Sequence, residues 1–78
     1  MIKSKFMMNS NSILKDRIEK NLEENSITNT IIIDVLGDEV TLKGIVDSYE
    51  IKDKIEQIVL RFSEVQAVNN ELAIFNEN

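Results

Sequence analysis

The sequence predicts an α+β fold: a two-layer αββαβ sandwich in which a three-stranded mixed sheet carries two helices on one face. Three observations lead there. The stretch Thr30–Val46 alternates apolar and mixed residues on either side of Gly37-Asp38, the pattern of two strands joined by a two-residue turn. Residues Ile51, Ile55, Ile58, Val59 and Phe62 then follow the 3.6-residue period of a helix. Beyond them, Val68, Asn70, Leu72 and Ile74 alternate with Asn69, Glu71, Ala73 and Phe75, a third strand. A helix between the second and third strands calls for a right-handed crossover and a parallel pair, so the sheet is mixed.

Each element has a local cause. Ser12 is a plausible N-cap for a first helix over about 13–24, whose stripe is Leu14, Ile18 and Leu22. Asp16 with Lys20, and Lys20 with Glu24, have the spacing of helix-surface charge pairs. Asn25 and Ser26 end that helix. In the hairpin, Gly37 suits the positive φ that begins a type II′ turn. Closing there pairs Val35 with Val40, Ile33 with Leu42 and Ile31 with Gly44 on one face. Leu36/Glu39, Asp34/Thr41, Ile32/Lys43 and Thr30/Ile45 fall on the other. Either Asp47 or Ser48 caps the second helix, over about 49–62, and Asp47 with Glu50 has capping-box spacing. Leu60 lies off its apolar stripe. Only the first-named sheet face has a continuous apolar lining, so both helices are expected to cover it. The expected division is a flexible tail over 1–11, one domain over 12–76 and a short tail at 77–78.

Composition narrows function. A chain of 78 residues is a single small domain with a modest core. At 42% hydrophobic and 29% charged it belongs with globular rather than disordered chains. With no histidine and no cysteine there is no thiol nucleophile, no histidine-assisted triad and no ordinary zinc site. The adjacent acids Glu23-Glu24 and Asp38-Glu39 sit at a helix end and a turn tip, where carboxylates are solvated rather than tuned for acid–base work. Asp34, Asp38 and Glu39 lack the spacing of a calcium loop. No catalytic residue, metal ligand or cofactor site is therefore expected. The net charge of −5 argues against nucleic acid. No small-molecule substrate is identifiable.

Basic residues concentrate early, at Lys3, Lys5, Lys15, Arg17 and Lys20, against only Lys43, Lys52, Lys54 and Arg61 beyond them. The start lacks the apolar run of roughly 7–15 residues that a secretory signal needs. The expected location is the cytoplasm, or the periplasm where a leader has been trimmed.

The run Gly37-x-x-Val40-Thr41-Leu42-x-Gly44-x-Val46, then a helix, then Val65-x-x-Val68-x-Asn70-x-Leu72-x-Ile74, resembles the BON domain of osmotically induced and nodulation-associated bacterial proteins. The resemblance runs over about 13–75. Glu64 departs from it, standing where the family usually has glycine. The resemblance implies a non-catalytic binding module, often tied to phospholipid or envelope interactions. Gly44 is read as a packing glycine that keeps a side chain away from a helix, and Asn70 as a hydrogen-bond partner of buried backbone.

Two partner surfaces stand out. On the second sheet face, Ile32, Lys43, Ile45, Ala73 and Phe75 are the candidate surface for a protein partner or a homodimer. The alternative is a phospholipid surface met by Lys3, Lys5, Phe6, Met7 and Met8 of the tail. A small-ion or osmotic sensor is a third reading, in which backbone carbonyls serve as ligands.

Overall fold

The computed structural model describes residues 10–27 and 29–75. The order is α1 (Ser10–Glu24), β1 (Ile31–Leu36), β2 (Glu39–Val46), α2 (Tyr49–Leu60) and β3 (Ala67–Ile74). The sheet runs β1-β2-β3, antiparallel between β1 and β2 and parallel between β2 and β3. This is the expected two-layer sandwich. The hairpin register is also the expected one: Val35 opposes Val40, Ile33 opposes Leu42, and Ile31 opposes Gly44. Gly37 has φ +64 while Asp38 stays out of the positive-φ region, as a type II′ turn requires and a type I′ turn forbids.

Both helices lie on the face that this register makes apolar. Leu14, Ile18 and Leu22 of α1 and Ile55, Ile58 and Val59 of α2 close over Ile33, Val40, Leu42, Val46 and Leu72. Side chains of this kind each contribute roughly 1.5–3 kcal/mol when fully buried. Val40, Leu42 and Val46 are wholly buried, because β2 is the central strand and faces the helical layer.

Several boundaries differ from expectation. Helix α1 starts at Ser10, so Ser12 lies inside it rather than capping it, and Asn11 belongs to the helix instead of a tail. Neither Asp16–Lys20 nor Lys20–Glu24 closes as an ion pair; the described ion pair is Arg17–Glu64. Helix α2 stops at Leu60, and Phe62 packs half-buried against the core from the following turn. Of the two candidate caps, Ser48 takes the role. It holds φ −156 and ψ 164, and its Oγ accepts the Ile51 N–H at 3.2 Å. Residues 1–9 of the expected tail over 1–11, the expected tail at 77–78, and residue 76 of the expected domain lie outside the described residues.

The end of α1 carries a core residue that periodicity did not reveal. The Ile27 N–H reaches the Leu22 carbonyl at 3.0 Å and the Ser26 N–H reaches the Glu23 carbonyl at 3.0 Å. This is a Schellman motif, with Ser26 in the left-handed position at φ 63. The motif turns Ile27 back onto Leu22, and both are buried. Ile27 lies outside helix and strand, so neither period includes it.

Gly44 is a packing glycine for another reason than the one expected. A Cβ there would meet no helix. It would stand 2.8 Å from the Thr30 carbonyl oxygen, on a backbone at φ +138. Opposite effects are predicted at the two left-handed positions. Ser26→Gly should raise stability by about 0.5–1 kcal/mol, since only glycine adopts that φ without steric cost. Gly44→Ala should lower it by about 2 kcal/mol or more, because strain and a backbone clash coincide. Urea unfolding of the three proteins measures both, and equal midpoints would refute the reading of these sites.

Candidate interaction surface

Alternation along three strands in fixed register determines what the uncovered face displays. Ile45 stands opposite Ala73 in the parallel ladder, and Ile32, Lys43 and Glu71 form the adjacent row. Diagonal neighbours in a sheet come within reach of long side chains, so Ile32 and Ile45 approach across the β1–β2 pair. Phe75 extends the group past the end of β3, its N–H held by the Val46 carbonyl at 2.7 Å. Ile32, Ile45 and Phe75 are 56, 58 and 56% exposed, far more than isolated core-facing residues of these strands. Lys43 and Ala73 are exposed beside them. The five candidate residues therefore lie together at one end of the face.

A polar row bounds the patch. Asp34, Thr41 and Asn69 share a register position, and the Asn69 amide donates to the Glu39 carboxylate and to Thr41 Oγ1. Leu36, at 75% exposed, lies beyond that row and apart from the other apolar residues.

Sequence reasoning missed Tyr49. It opens α2, and the parallel crossover returns β3 so that its C-terminal end lies beside that helix start. Tyr49, Lys52, Ala73 and Phe75 consequently line one shallow hollow at the outer edge of β3. Tyr49 is 75% exposed, so the apolar surface wraps from the open face around the edge. No one-dimensional signal links positions 49 and 75; only the closed crossover does.

The covered side of β3 is tied down. The Asn70 amide donates to the Lys52 carbonyl at 3.1 Å and to the Glu56 carboxylate at 3.0 Å, while its Oδ1 accepts the Leu72 N–H at 3.2 Å. Asn70 thus pins α2 to β3 through backbone partners, as expected. At the other end of the molecule Arg17 pairs with Glu64, and its guanidinium carbon lies 5.3 Å from the Phe62 ring centre. The hydrogen bond from Arg17 is the main cause holding the Glu64 carboxyl below its ordinary value of 4.5, helped by a backbone hydrogen bond. Glu64 itself stays out of the positive-φ region, so this turn makes no demand for glycine.

No group of three or more acidic side chains among the described residues is arranged to hold a metal ion. No described helix is long and apolar enough to cross a membrane. Lys3, Lys5, Phe6, Met7 and Met8 lie outside the described residues.

These features define a small α+β sandwich with one roofed sheet face, one open face and no cluster of chemically tuned groups in the parts described. A match to the BON domain model over residues 10–75, nearly all of the described chain, places it further: the chain belongs to the BON domain family. Among solved structures it is similar to the C-terminal domain of CdsD, described as the structural protein of the Type III secretion system of Chlamydia trachomatis. The TM-score is 0.70 at 15% identity, covering 85% of this chain and 34% of that one. At that identity the likeness is one of fold, and the chain spans about a third of the CdsD chain. No curated protein matches.

The sign of the Glu64 shift gives a prediction. A carboxyl held below its ordinary value stabilises the fold above that value, and the contribution is lost as pH falls through the folded-state value. Glu64→Gln should therefore melt lower than the parent protein at pH 7, and the difference should narrow as pH falls below 4.5. A gap that persists unchanged at acid pH would mean that Glu64 acts by packing alone.

Proposed function

We propose that this chain is a non-catalytic binding module that docks on a protein partner, or on a second copy of itself, through the apolar end of its open sheet face. The observation that carries this reading is the grouping of Ile32, Ile45, Ala73 and Phe75 on three adjacent strands, exposed to solvent and with Lys43 among them. A contiguous apolar patch with a polar border is the ordinary form of a recognition surface. Membership in a family of binding domains supports it. So does likeness in fold to a domain of a protein described as structural in a secretion system. Lys43 gives the patch a charge that favours a partner with an acidic or carbonyl-rich counterpart.

In a chain carrying Lys3→Glu and Lys5→Glu, Phe75→Glu and Ile32→Lys should each abolish concentration-dependent association in sedimentation velocity, or capture of the partner, while the circular dichroism spectrum stays unchanged. A protein that is strictly monomeric to millimolar concentration and captures the same partners with or without these substitutions would overturn the proposal.

A second reading rests on Lys3, Lys5, Phe6, Met7 and Met8, whose charge and apolar bulk suit shallow insertion at an anionic bilayer. The acidic body opposes it. Co-sedimentation with phosphatidylglycerol vesicles separates the two: the docking reading expects no pelleting. Pelleting that disappears with Lys3→Glu and Lys5→Glu would favour the membrane.

A further inference from the structure

The two outer edges of the sheet are not equivalent. The Val46 carbonyl goes to Phe75, so even-numbered residues of β2 turn their backbone groups toward β3 and odd-numbered ones toward β1. Opposite them, Ile32, Asp34 and Leu36 bond inward, and Ile31, Ile33 and Val35 turn their N–H and C=O groups out of the sheet. On β3, the outward N–H of Leu72 is taken by Asn70. On β1, no second strand and no side chain among the described residues takes the outward groups. An open apolar edge of this kind is a template for another strand.

Above that edge α1 overhangs a groove of about 580 Å³. Leu22, Ile27, Ile31 and Ile33 line it together with the polar Asn29 and Thr30, and Glu19 and Glu23 stand on its α1 side. No residue of β2, α2 or β3 lines it, so it opens outward beside β1. The occupant it suits is an extended segment with cations on one face and apolar residues on the other. Ile2-Lys3-Ser4-Lys5-Phe6 has that alternation. Two residues of strand separate Lys3 from Lys5, about 7 Å. One helical turn separates Glu19 from Glu23, about 6 Å. With the lysines under α1, their stems cover the apolar lining residues and their ammonium groups reach Glu19 and Glu23. Ile2 and Phe6 then fall on the open face with the spacing of Ile32 and Leu36.

We propose that the groove receives the 2–6 segment of a second copy as an added strand on β1. Handedness excludes the segment of the same copy. Leading into α1 at Ser10, that segment would lie parallel to β1 with α1 as the crossover. Because β1 runs opposite to β2 while both helices share a face, this connection has the opposite hand to β2–α2–β3, the hand that parallel crossovers avoid.

The test is a cross of two peptides and two full-length receivers, read by fluorescence anisotropy. The peptides are residues 1–9 and the same peptide with Lys3→Glu and Lys5→Glu. The receivers are the chain with Lys3→Glu and Lys5→Glu, and the chain with Glu19→Lys and Glu23→Lys; in each, its own segment is repelled from the groove. The basic peptide should bind the first receiver at least about tenfold more tightly than the second, and the acidic peptide should show the reverse preference. Both preferences should shrink from 50 to 500 mM salt. Glu23→Lys alone, at an exposed position, should give the same direction should the double reversal fail to fold. Equal binding to both receivers, binding to neither, or equal binding of a scrambled peptide would overturn the proposal. Greater sensitivity to Asp34→Lys than to the Glu19 and Glu23 reversals would overturn the assigned face. Phe75→Glu in the first receiver should leave peptide binding unchanged, which separates this groove from the open-face patch.

Discussion

The register of the β1–β2 hairpin is the constraint from which the remaining architecture follows. Side chains alternate strictly along a strand, so a slip of one residue would move Ile31, Ile33 and Val35 to the solvent face and put Asp34 under a helix. Gly37 sets the slip at zero by accepting φ +64 at the first turn position. Once β1 and β2 are fixed, β2 has one edge left for β3. The α2 crossover must then return parallel, bringing Leu72 beside Gly44 and Ile74 beside Val46. The same alternation that roofs Leu42 also exposes Lys43 and Ile45.

Two clamps then hold the helices against a sheet too small to hold them by area alone. The Schellman turn at Ser26 folds Ile27 under the end of α1, and the Arg17–Glu64 pair with Phe62 holds its other half to the turn after α2. The pair is exposed and thus a weak source of stability by itself. Its value is geometric, since it joins residues 47 positions apart in the chain. Asn70 does the corresponding work for α2 with two backbone partners and a carboxylate.

Most of the fold was legible in the sequence because alternation and the helical period act over neighbouring residues. The hairpin register, the parallel crossover and the inward faces of α1, α2 and β3 were read from those periods, and the structure agrees. What escaped depended on closure in three dimensions. Ile27 is buried by a turn that belongs to neither period. Ser12 has the chemistry of a cap, but the helix continues two residues upstream of it. Gly44 was referred to a helix when its neighbour is the Thr30 carbonyl. Tyr49 joins Phe75 only after the crossover is complete. The open-face residues were legible as a set, whereas the polar row that parts Leu36 from them needed the β2–β3 register.

An αββαβ sandwich leaves three extended surfaces for a partner: one sheet face and two sheet edges. Here the edges differ for a chemical reason. An asparagine can satisfy the N–H two residues along its own strand, and Asn70 does so for Leu72 while tying β3 to α2, which takes one outward donor of that edge. β1 has no such residue; its outward positions are Ile31, Ile33 and Val35, whose side chains offer no acceptor. Protection of an exposed edge by charge is the usual alternative, and on β1 the only charge is Asp34, turned to the open face. The acidic pair Glu19 and Glu23 therefore supplies the discrimination at this edge from the helix above it. Two copies meeting edge to edge through β1 would bring four carboxylates together, whereas a strand carrying cations meets them favourably. The same charges that would select a basic segment there disfavour symmetric pairing at β1.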